Sequence, residues 1–105
     1  MPLSIQVLQS DHRAFGRQIR LTLDGDTRLD FTLEEAATVS RALTAVGEGR
    51  STEREIYMSP IASDHEFSGV VLADGVQVTV GGRAAQLGWA EVERLAHDLI
   101  APHLE

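Results

Sequence analysis

Two stretches with helical spacing, 33–46 and 89–101, each close a series of short segments in which apolar and polar residues alternate one by one. Strict alternation marks a strand with one buried face, and apolar residues three and four apart mark a helix with one apolar stripe. A chain that runs strand, strand, strand, helix, and then does so again, has few ways to hide all those faces. It reads as α+β, with antiparallel sheet, in one piece or two, and both helices packed on one side.

In the first half, Leu3, Ile5 and Val7 alternate with Ser4 and Gln6, and a loop is expected over 10–16. Across 17–23, Ile19, Leu21 and Leu23 oppose Gln18, Arg20 and Thr22. Asp24-Gly25 supplies a turn, because glycine accepts positive φ at little cost. Leu29 and Phe31 complete a meander, and Thr32 with Glu35 has the spacing of a capping box. Ala36, Val39, Leu43 and Val46 form the apolar stripe of the first helix, with Gly47 as its expected C-cap. The polar, glycine-bearing residues 47–53 read as a linker between halves 1–46 and 54–105 of a single domain.

The second half opens with a strand over 54–60 that ends at Pro60 and continues with 67–73 and an Asp74-Gly75 turn. Val76, Val78 and Val80 then alternate with Gln77 and Thr79, Gly81-Gly82 breaks the run, and 84–87 suggests a short extra strand. Trp89, Val92, Ala96 and Leu99 mark the closing helix, limited by Pro102. Phe31, Trp89, Phe15 and Phe67 are the aromatic residues expected in the core. The tripeptide Ser-Asp-His occurs at 10–12 and again at 63–65, each time between the first two strands of a half. In collinear order with strands, turn and helix, it marks the halves as degenerate βββα repeats.

Composition narrows the function classes. With 43% hydrophobic residues in 105, the chain can build a real core, and with no cysteine it has no disulfide, thiolate metal site or cysteine nucleophile. No signal peptide is visible and no apolar run approaches the ~20 residues of a membrane helix, so a soluble, cytoplasmic protein is expected. All nine basic residues are arginine, with lysine and asparagine absent, a skew expected of GC-rich bacterial coding. Net charge is −7, with six arginines against seven acids in residues 1–50 and three against nine in 51–105. Such a balance repels polyphosphate.

The candidate chemistry is sparse. Asp64-His65-Glu66 offers metal-ligating types, but neighbours in extended chain point to alternate sides, and the first copy has Arg13 where the second has Glu66. Ser59, Ser63, His65 and Asp64 lack a nucleophile elbow. Glu93 and His97 sit one helical turn apart and read as a surface pair. The glycine runs 47–50 and 81–83 read as a cap and a turn rather than an anion cradle. No catalytic group, metal or cofactor is therefore expected.

The outward strand faces carry more. Gln6, Gln18, Arg20, Thr22, Arg28, Gln77 and Thr79 would make a polar sheet surface, with Tyr57 outward on its own strand. In topology, repeated strands followed by a helix resemble the PUR-type and PC4-type nucleic-acid-binding folds. That resemblance implies single-stranded nucleic acid along the sheet face, held by Arg17, Arg20 and Arg28 and stacked on Tyr57. The acidic balance favours another expectation. It is a small, non-enzymatic binding module that pairs with a protein or with itself as a homodimer, through sheet edges or the face bearing Arg17, Arg20, Arg28, Tyr57, Gln77 and Thr79.

Overall fold

The alternating segments form seven strands in two antiparallel sheets, and both helical stretches are helices, in a computed structural model that describes residues 5–14, 16–24 and 27–101. The first sheet is a meander of β1 (Ile5–His12), β2 (Gly16–Leu23) and β3 (Thr27–Thr32), followed by α1 (Leu33–Gly47). The second runs β4 (Glu55–Met58), β5 (Phe67–Leu72), β6 (Gly75–Val80) and β7 (Arg83–Gly88), and α2 (Trp89–Ile100) closes the chain. The fold is α+β. Its second half holds one strand more than the first, because residues 83–88 complete a full hairpin with β6. Among the described residues, no helix is long and apolar enough to cross a membrane.

One core joins the parts. The helices pack on each other, α1 also against β2, β3 and β4, and α2 against β1, β6 and β7. The expected inward residues Ile19, Leu21, Leu23, Leu29 and Phe31 are buried, as are Val76, Val78 and Val80 from the second sheet. Both helix stripes are buried too, except that Trp89 is only partly covered and Leu95 joins the stripe of α2. Trp89 caps the packing by donating its indole N–H to the Ala73 carbonyl at 3.1 Å. Phe31 and Phe67 meet edge to face across the two sheets, with ring centroids 6.0 Å apart.

Three local expectations change. Ser10, Asp11 and His12 extend β1, opposite Gln18, Arg17 and Gly16, so the first Ser-Asp-His is strand rather than loop. Helix α1 runs through Gly47, the expected C-cap, and the left-handed glycine that ends it is Gly49. The Gly49 N–H donates to Val46 and the Arg50 N–H to Ala45, with Gly49 at φ +73°, the paired bonds of a Schellman ending. Gln18, on the polar face by alternation, is only 2% exposed. The capping box of Thr32 and Glu35 forms as expected. Gly81 and Gly82, both at positive φ, make the two-residue link from β6 to β7 that a type I′ hairpin requires. Leu3, Phe15, Gly25 and Pro102 lie outside the described residues.

Candidate functional site

Arg20 and Arg28 come together on the outer face of the first sheet. Pairing sets Arg20 between Leu8 and Asp30, and Arg28 opposite Thr22. Asp30 grips Arg20 through both carboxylate oxygens, Nε to Oδ1 at 2.8 Å and Nη2 to Oδ2 at 3.4 Å. That hydrogen bond, only partly offset by desolvation and assisted by the Asp30 charge, raises the guanidinium pKa above its ordinary value. Gln6 and Thr22 complete the floor of a basin of about 650 Å³, whose wall is Ala62, Ser63, Asp64 and His65.

The wall belongs to the loop between β4 and β5, and Glu35 anchors it. One Glu35 oxygen accepts from the Thr32 N–H at 2.8 Å to close the capping box, and the other accepts from the Ile61 N–H at 3.0 Å. The His65 ring rests over the tip of the β6–β7 hairpin, where a Cβ on Gly81 would lie 3.1 Å from it. Replacing Glu35 by alanine removes a helix cap and the loop anchor at once. The expected loss is about 1–2 kcal/mol in chemical denaturation, with faster hydrogen exchange at the Ile61 amide.

The remaining expected residues lie elsewhere. Arg17 is exposed opposite Asp11 near the end of the hairpin, and alternation puts it on the side of Ile19 rather than that of Arg20. Gln77 is exposed and Thr79 half-buried on the outer face of the second sheet. Tyr57, 60% exposed, sits on β4. A hydrogen bond to Glu66 holds its phenol pKa above the usual value, with desolvation and the Glu66 charge adding and Ser59 opposing. Of the four residues of a nucleic-acid face, Arg20 and Arg28 are thus brought together, while Arg17 and Tyr57 lie apart from them. In the basin itself, Asp30 and Asp64 balance the two arginines, which leaves no cationic track for a phosphate backbone. Glu93 and His97 are exposed on α2, and among the described residues no three His, Asp or Glu side chains cluster as metal ligands.

The second sheet offers a different feature at β4, its first strand and an edge. The Arg54 carbonyl accepts from the Val71 N–H at 2.8 Å, which makes positions 54 and 71 a hydrogen-bonded pair. Antiparallel ladders alternate, so Ile56 and Met58 bond inward to Gly69 and Phe67. The N–H and C=O groups of Glu55 and Tyr57 then point away from the sheet. Beside them lies a groove of about 190 Å³ between β4 and α1, whose apolar lining is Val39, Ala42, Val46, Ile56 and Met58. The other edge strands are β1, β3 and β7. β1 and β7 border a common groove under α2, lined by Ile5, Val7, Leu87 and Leu95, and β3 approaches β6.

No family model, curated protein or solved structure matches the chain.

Proposed function

We propose that the protein is a small, non-enzymatic interaction module that takes an extended segment of a protein along the edge of β4. The observation that carries this reading is the pair of outward-facing peptide groups at Glu55 and Tyr57, set beside an apolar groove on α1. An added strand would bond those groups, and its alternate side chains would lie along Ala42 and Met58. Main-chain bonds supply affinity in such a mode and the groove supplies selectivity. The net charge of −7 and the balanced charges of the basin favour a protein partner over nucleic acid. A cysteine-free chain also suits a reducing, cytoplasmic setting.

The test is an NMR titration with a capped peptide of alternating valine and threonine, flanked by lysines for solubility. Saturable shifts centred on the Glu55 and Tyr57 amides are expected, and their loss in Tyr57→Pro, which removes one outward N–H and no bond to β5. Shifts centred on Arg20 and Arg28, or none, would contradict the reading.

A further inference from the structure

We infer that the segment received by β4 is the β4 of a second copy, paired antiparallel about a two-fold axis at Ile56. This rests on the strand-accepting edge proposed above and names its occupant. Residues whose peptide groups face outward must oppose one another in an antiparallel pair, so Glu55 and Tyr57 can meet only in three central registers. Glu55 opposite Glu55 of the second copy sets like charges side by side and overlaps the strands least. Tyr57 opposite Tyr57 forms one hydrogen-bonded pair within the strand and pushes the next beyond its end, to Ser59. Glu55 opposite Tyr57 repeats itself under the two-fold axis, uses all four outward groups of each copy, and opposes no like charges. That register obeys the two-fold symmetry of such an interface and keeps every outward group of Glu55 and Tyr57 paired within the strand.

The outer face next to β4 agrees. Tyr57 and Val70 are among the few large apolar residues left exposed, at 60% and 40%, and they are diagonal neighbours across β4 and β5. The two-fold axis brings both pairs into one patch. On the opposite face Ile56 meets its own copy, with Ala42 and Met58 flanking. A four-residue strand makes a small interface, so the dimer is of the weak, transient class. Two chains of net charge −7 repel, so added salt should tighten it.

Because the chain has no cysteine, engineered thiols report the register directly. Glu55 and Tyr57 are exposed, so Glu55→Cys and Tyr57→Cys leave the core intact. The two variants are mixed under mild oxidation and the linked products are weighed by mass spectrometry, alongside sedimentation of the unmodified protein from ~5 μM to ~1 mM. The expected result is a dimer favoured by salt, with the mixed product, one chain of each variant, well above the statistical half. Excess of either like-with-like product, or no linked product from a dimer, overturns the β4 register. A monomer throughout overturns self-pairing, and the peptide titration then decides separately whether the edge accepts any strand.

Discussion

Replacing Gly75 by alanine is expected to be the most destabilising change of one methyl group in the molecule. Gly75 opens β6 directly opposite Gly88 on β7, and a Cβ there would lie 1.7 Å from the Leu87 carbonyl oxygen and 2.8 Å from its carbon. Both atoms are backbone, so no rotamer change relieves the clash, and the β6–β7 ladder must open at its end. That end also holds the start of α2, whose first turn is tied back by the Trp89 indole and by Glu91, which accepts from the Gly88 N–H at 3.3 Å. The expected loss is at least about 3 kcal/mol, or about 12–24 °C in Tm for a domain of this size. Gly82→Ala is the control. Gly82 stands at φ +83° with open space around it, so alanine there costs only the left-handed backbone, about 1–2 kcal/mol. Thermal unfolding of the two variants side by side decides the matter, and equal losses would show that the close approach at Gly75 is not the constraint.

The second large effect is expected at Phe67. Phe67 is fully buried, lies opposite Met58 and Val80 in the second sheet, and meets Phe31 of the first edge to face. Truncation to alanine removes a ring that fills the seam between the two sheets, with an expected cost of about 3–5 kcal/mol. Phe31→Ala should cost a similar amount. The double variant should cost less than the sum of the two, because the first truncation already removes the ring–ring contact and opens the shared cavity. Urea denaturation of the four proteins measures that coupling. Strict additivity would mean the sheets are held together elsewhere.

These two residues show which parts of the fold local sequence could express. Alternation at 19–23, 29–31 and 76–80, and the stripes at 36–46 and 92–99, located nearly every element, because burial of one face leaves a period that neighbouring residues share. The expected capping box appeared for the same reason: its two partners are three residues apart. Gly75, by contrast, looked like a turn glycine beside Asp74. Its real constraint is the approach of Leu87, which no local pattern contains. The glycine that ends α1 is Gly49 rather than Gly47, because two nearby glycines could each end a helix and only one pairs Val46 and Ala45 with the following amides. Ser10 to His12 have turn-forming side chains, yet pairing with β2 keeps them extended.

The candidate sites were less legible. Alternation did put Arg20, Arg28, Gln77, Thr79 and Tyr57 on outward faces, but it could not say that two sheets would divide them. Arg17 was grouped with them for its charge, although the same alternation sets it on the side of Ile19. The second Ser-Asp-His forms the wall of the basin and the first does not, because Glu35 draws only the later loop across to the first half. Whether a strand is an edge depends on sheet order, a non-local property. Residues 55–58 alternate like any other strand, and nothing within them tells that Glu55 and Tyr57 would lack a neighbour.

Amide hydrogen exchange at Glu55 and Tyr57, followed as the alternating valine–threonine peptide is added, tests the strand-accepting edge most directly. Both amides are expected to slow by about tenfold or more at saturation, as a new ladder covers them. The exposed amide of Glu53, which donates only to the Ser51 hydroxyl, should keep its rate. Unchanged exchange at Glu55 and Tyr57 in the presence of bound peptide would contradict the account.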